Sequence, residues 1–199
     1  MTVIIDYGVG NLFSLLCSLN KIGEECSVSS DPEVIKNAER LILPGVGAFE
    51  DAIKKLEATG LVPVIKDFRG PILGICLGMQ LLFEESLEYG CHKGLGLLPG
   101  SVVPLEGKIS KELKIPHMGW NALEFWKASP LFKYISEGDY VYFVHSFYAS
   151  CPEAVISSVS DYSIPVTGSV EKDNIYGTQF HPEKSGDVGL KILKAFCEI

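Results

Sequence analysis

The sequence predicts an α/β fold: a doubly wound, mixed but mostly parallel sheet, extended by antiparallel strands. Three observations carry this. Over residues 1–90, short apolar β-branched runs alternate with stretches of helical period, the pattern of a parallel sheet covered on both faces. After Gly90 the runs become short and partly alternating, with turn residues between them. Residues 185–197 return to helical spacing, with Val188, Leu190, Ile192, Leu193 and Phe196 on one face.

Taken in order, residues 2–5 are a β-branched strand running into Asp6-Tyr7-Gly8-Val9-Gly10-Asn11. This turn lacks the third glycine of a dinucleotide fingerprint and the lysine of a phosphate loop, so it reads as a tight strand-to-helix connection. A helix over 12–22 follows, closed by Gly23. A second strand, 25–29, leads to a helix start with Asp31 as N-cap and Pro32 at the first helical position. The strand 40–43 ends in Pro44-Gly45-Val46-Gly47, and helices are expected over 49–58 and 61–68. The apolar run 71–75 is the fourth strand, with a helix expected over 79–87. Beyond Gly90, strands are expected over 101–106, 122–126, 140–150, 154–160, 164–171 and 175–180. No repeat, linker or low-complexity tract interrupts the chain, so residues 1–199 are expected to form one domain.

Composition narrows the class. A hydrophobic fraction of 47% with 21% charged residues fits a globular protein with a substantial core, and the net charge of −8 argues against non-specific nucleic-acid or anionic-membrane binding. The first eleven residues lack a basic segment and meet Asp6 early, unlike a secretory leader. Six cysteines without CxxC or zinc spacing read as reduced thiols of a cytoplasmic protein.

One cysteine stands apart. In Gly74-Ile75-Cys76-Leu77-Gly78-Met79-Gln80 a nucleophilic side chain sits between two glycines, where a strand gives way to a helix. That is the shape of a nucleophile elbow, in which the glycines allow a sharp turn and close packing of helix on strand. At a helix start the partial positive charge favours thiolate. Core packing is the plain alternative for a cysteine in such a strand. A partner for the sulfur lies a hundred residues on, in Gln179-Phe180-His181-Pro182-Glu183. Residues two apart on an extended chain project to one side, so His181 and Glu183 can share a cleft. A cysteine nucleophile needs a base within reach, and the imidazole needs a third group to fix its tautomer. A metal site made of Cys76, His181 and Glu183 is also conceivable, though no fourth ligand is evident.

Gly-Ile-Cys-Leu-Gly with a late His-Pro-Glu resembles the class I, triad-type, glutamine amidotransferases, whose fold is flavodoxin-like. Further motifs follow in order: Asp6 to Asn11, Pro44 to Gly47, Cys76 to Ser86, Pro116-His117-Met118-Gly119-Trp120-Asn121, Phe143-Val144-His145-Ser146 and Gln179 to Ser185. Together they resemble the glutaminase subunits of imidazole glycerol phosphate synthases, and Pro-His-Met-Gly-Trp-Asn is the motif that points there.

The resemblance implies hydrolysis of L-glutamine to glutamate and ammonia through a thioester, without a cofactor or metal. Catalysis would fall to Cys76, His181 and Glu183. Oxyanion donors are expected from the backbone of Leu77 and of Val46 or Gly47, and glutamine contacts from Gly45, Gln80, Glu88, Ser146 and Phe147. Tyrosine is commoner than Phe147 at its position. Ammonium is not a nucleophile and a chain this size has no room for a synthase barrel of about 250 residues. The resemblance therefore implies a separate cyclase subunit, a (β/α)₈ barrel forming a heterodimer with this chain and making imidazole glycerol phosphate in histidine biosynthesis. His117, Met118, Trp120 and Asn121 are the expected interface, with Trp120 either an anchor there or plain core. A glutaminase serving another synthase, such as a sugar amidotransferase, a non-catalytic activating subunit, and a general cysteine hydrolase of related fold are the alternatives.

Overall fold

The computed structural model describes residues 1–199. Its first half follows the expected alternation. Strand β1 (Thr2–Ile5) leads to α1 (Leu12–Lys21), β2 (Cys26–Ser29) to α2 (Pro32–Lys36), and β3 (Arg40–Leu43) to α3 (Phe49–Ala58) and α4 (Val62–Asp67). Asp31 caps α2 as its residue type predicts, its carboxylate accepting the Glu33 N–H at 2.8 Å. Gly23 and Gly60 lie just past the ends of α1 and α3 at φ +79° and +72°, conformations that cost glycine little.

After β4 (Ile72–Ile75) the structure departs from the expected 79–87 helix. Helix α5 (Leu77–Leu81) is only five residues long, and the chain re-extends into β5 (Phe83–Ser86). Tertiary contacts override local helix preference here. The Glu84 carboxylate accepts the Gly100 N–H at 2.9 Å, the Glu85 carboxylate accepts the Ser101 hydroxyl at 3.0 Å, and Phe83 is fully buried.

The later strands are β6 (His92–Lys93), β7 (Leu98–Pro104), β8 (His117–Ala122), β9 (Glu124–Phe125), β10 (Tyr140–His145), β11 (Phe147–Ser150), β12 (Ile156–Asp161), β13 (Pro165–Lys172) and β14 (Ile175–Thr178). The terminal helix α6 (Gly186–Cys197) closes the chain. These strands do not all extend one sheet, as expected from their pattern. The main sheet has eight strands in the order β2-β1-β3-β4-β14-β13-β12-β9, parallel from β2 to β14 and antiparallel beyond. A second sheet joins β11, β7, β5 and β6, and a third pairs β10 with β8. The single strand expected over 140–150 breaks at Ser146, where the chain passes from the third sheet to the second.

Strand alternation divides the core. Val3, Ile5, Leu41, Leu43 and Ile72 enter one apolar cluster with α3, α4 and α5, whereas Ile4, Ile42, Leu73 and Ile75 enter the other with α1 and α6. Both faces of the parallel strands are thus buried, as a doubly wound sheet requires.

Candidate active site

Three adjacent parallel strands, β3, β4 and β14, end at one edge of the main sheet, in register through Leu43↔Gly74 and Thr178↔Ile75. Their outgoing turns carry Pro44 to Gly47, Cys76, and Gln179 to Glu183. Segments far apart in sequence therefore meet where ligands of such sheets collect.

Cys76 occupies a sharp elbow. Its φ of +53° is in the left-handed region, uncommon for a non-glycine residue, and a bond from its N–H to the Thr178 carbonyl at 2.7 Å helps to hold it. Gly74 and Gly78 serve the turn as expected. A Cβ on Gly78 would overlap the Leu43 carbonyl, and one on Gly74 would meet Met79 backbone at 2.6 Å. The loop after β3 is held from the other side: the Tyr7 hydroxyl donates to the Pro44 carbonyl at 2.6 Å, and Gly10 packs close against the Pro44 ring.

Pairing of His181 with Glu183 arises differently from the extended geometry expected. His181 is extended (φ −99°, ψ 101°), but Pro182–Lys184 form a turn of 3₁₀ helix that brings the carboxylate back beside the ring. The His181 backbone is clamped at both ends. Its N–H donates to the Tyr142 carbonyl at 3.0 Å, and its carbonyl accepts the Ser185 hydroxyl at 2.7 Å. The ring donates from Nδ1 to Glu183 Oε1 at 2.8 Å, with both side chains 2% exposed. That leaves Nε2 free, in the cleft that His181 lines together with Cys76. Burial opposes the charged ring, but the bonds and charges of Cys76 and Glu183 outweigh it and hold His181 up at about 9.

The cleft over this group has a volume of about 400 Å³. It is lined by Cys76, Leu77 and His181, by Val46 and Gly47, and by Gln80, Glu88, Ser146 and Phe147. Gly45 does not line it; a Cβ there would come within 2.5 Å of the Gly78 N, so this glycine permits loop-to-helix contact beneath the cleft. The Glu88 carboxylate accepts the Phe49 N–H at 2.6 Å, capping α3, where Ala48 supplies no side-chain cap. Pro116, Val144, His145 and Lys184 also line the cleft; they lie within the quoted sequence motifs but were given no site role there. For Lys184 a signal existed: it follows Glu183 directly in the turn that carries the acid. His117, expected at an interface, is 1% exposed and stacks on Phe143 and Tyr162. Met118 and Trp120 on the same strand are 60% and 50% exposed, so the strand faces both ways. No group of three or more His, Cys, Asp or Glu side chains is arranged to hold a metal ion.

A class I glutamine amidotransferase family model matches residues 3–198. The chain belongs to the class I glutamine amidotransferases. Among curated relatives, it is 51% identical to "Imidazole glycerol phosphate synthase subunit HisH" of Listeria monocytogenes serovar 1/2a, over 100% of this chain and 96% of that one. The Bacillus cereus protein of the same name is also 51% identical, with 98% and 93% covered. The fold is similar to PurLQS from Thermotoga maritima (TM-score 0.75, 19% identity, 99% and 97% covered) and to a solved glutamine amidotransferase (TM-score 0.74, 19% identity, 98% of each chain).

The cleft of this amidotransferase also holds a titrating group apart from Cys76, His181 and Glu183. His145 is buried, and burial, with the nearby His117 and His181 rings, drives it down to about 3 despite its bond to the Phe147 carbonyl. The unfolded chain takes up this proton near the ordinary value of 6.5. The contribution is therefore complete above pH 6.5 and is lost as pH falls towards 3. Between pH 6.5 and 4.5 a loss of about 2 kcal/mol is expected from this residue. Urea unfolding of wild type and His145→Gln across that range measures it; parallel slopes would contradict it.

Proposed function

We propose that this chain is the glutaminase subunit of a two-protein synthase, hydrolysing L-glutamine to glutamate and ammonia. The observation that carries the reading is that Cys76 and His181, the latter bonded to Glu183 at 2.8 Å, line one cleft of about 400 Å³. Cys76 sulfur attacks the side-chain amide carbon of glutamine. His181 supplies a proton to the departing ammonia, leaving a thioester, and then takes one from the water that attacks it. Glu183 holds the ring in the Nδ1–H tautomer and balances its charge.

The tetrahedral oxyanion needs donors. As the first helical residue, Leu77 has no carbonyl within α5 for its N–H, and the Val46–Gly47 segment supplies the other. Gly47 sits at φ +95° with open space around it, so the Val46–Gly47 peptide is free to reorient and is the element a partner can switch. Gln80, Glu88, Ser146 and Phe147 hold the glutamine, with Gly45 supporting the loop. Glu88 and Lys184 give the cleft a carboxylate and an ammonium group, which suits an amino-acid zwitterion.

The released ammonia goes to a cyclase subunit of the (β/α)₈-barrel type, docked as a heterodimer in the cytoplasm, which makes imidazole glycerol phosphate for histidine biosynthesis. Identity to the HisH proteins over essentially the whole chain supports this. Residues 1–199 act as one domain. Met118, Trp120 and Asn121 contribute to the docking face, and the half-exposed indole of Trp120 is its anchor.

Glutamate release should rise when such a cyclase and its phosphoribosyl-aminoimidazole-carboxamide substrate are added. An electrophilic glutamine analogue should label Cys76. No glutamate from glutamine under any of these conditions would overturn the reading.

A further inference from the structure

A chain of buried hydrogen bonds ends on the Cys76 sulfur, and its direction follows atom by atom. The Phe147 carbonyl can only accept. His145 Nδ1 approaches it at 2.8 Å and Gln80 Nε2 at 3.1 Å, so both are donors. Neutral His145 then has a bare Nε2, and His117 Nδ1 at 3.1 Å donates to it. With its nitrogen fixed by Phe147, Gln80 gives its second N–H to Gln179 Oε1 at 3.0 Å. That orients the Gln179 carboxamide, oxygen towards Gln80 and nitrogen towards Cys76 Sγ at 3.6 Å. Gln179 is fully buried and Gln80 is 5% exposed, so little water competes for these groups.

We propose that Gln179 is a second stabiliser of the Cys76 thiolate, aimed by Gln80. The proposal deepens the reading of Cys76 as nucleophile and rests on it. A buried thiolate must replace lost hydration with donors. His181, which lines the same cleft, can supply another donor, but its proton moves during the reaction. An amide N–H does not leave its nitrogen, so Gln179 donates at every stage. In thioester hydrolysis the C–S bond breaks, its electron pair returns to sulfur, water adds to the carbonyl carbon and its proton goes to His181. Gln179 lowers the energy of the sulfur both as it attacks and as it departs.

The test is the pH dependence of Cys76 alkylation by iodoacetamide in the full chain, read on the Cys76 peptide by mass spectrometry. Gln179→Met keeps the bulk and removes the donor, and should raise the alkylation midpoint by about one pH unit, a roughly tenfold change in the thiol–thiolate equilibrium. Gln80→Glu should also raise it with Gln179 intact, because an acceptor in place of the Gln80 nitrogen turns the Gln179 oxygen towards sulfur. A role in folding alone would lower thermal stability without moving either midpoint. Unchanged midpoints in both variants overturn the proposal.

If Gln179→Met does not fold, the wild-type side-chain amide signals of Gln179 in ¹⁵N NMR must follow the alkylation midpoint. Signals indifferent to that titration overturn the proposal equally. Alkylation uses no glutamine, so failure of the glutaminase reading would appear separately, as absence of glutamate in the wild-type assay.

Discussion

Alanine at position 76 is expected to reduce glutamine hydrolysis by at least about 10⁴-fold, because nucleophile and base act as one unit and neither replaces the other. The cleft itself should persist. Cys76 is small, and the elbow is held by backbone contacts from Thr178 and by the close fit of Gly78 under Leu43. The expected signature is therefore selective: the variant still docks on the cyclase, and the complex still makes product from added ammonium salts. Assaying both nitrogen sources side by side measures it. Glutamine-dependent synthesis surviving in Cys76→Ala would remove the sulfur from the mechanism.

The second large effect is structural. Gly78→Ala should destabilise the protein by about 3 kcal/mol or more, since the added methyl would overlap the Leu43 carbonyl and crowd the Pro44 backbone. These are backbone atoms of a central strand and its outgoing loop, so rotamer changes cannot relieve the overlap. Relief requires α5 to move away from β3, which displaces Leu77 and the Val46–Gly47 segment from the sulfur. Urea unfolding at neutral pH gives the stability loss, and glutamate release gives the accompanying loss of activity. A variant as stable and active as wild type would mean that this close approach is dispensable.

How much of this was legible beforehand depended on whether the cause was local. Asp31-Pro32 fixes the start of α2 through one side chain and one ring, and the structure follows. The glycines around Cys76 require a tight turn, and the turn is there. The helix expected to continue to Leu87 failed because Glu84 and Glu85 answer to Gly100 and Ser101, sixteen residues away. The His181–Glu183 pairing was right in outcome but wrong in geometry, since Pro182 begins a helical turn instead of continuing a strand. His117 carries a motif that pointed to a partner, yet its ring is held inside by Phe143 and Tyr162.

By itself the sequence determined the alternating α/β plan, the family, and which sulfur, imidazole and carboxylate to watch, because periodicity, glycine spacing and motif order are local properties of a chain. Only the tertiary structure decided that three sheets form where one was expected, and that Gln80 aims Gln179 at the sulfur. Strand partners and the direction of a carboxamide depend on groups as many as 103 residues apart, and pairing at that distance leaves no local signature.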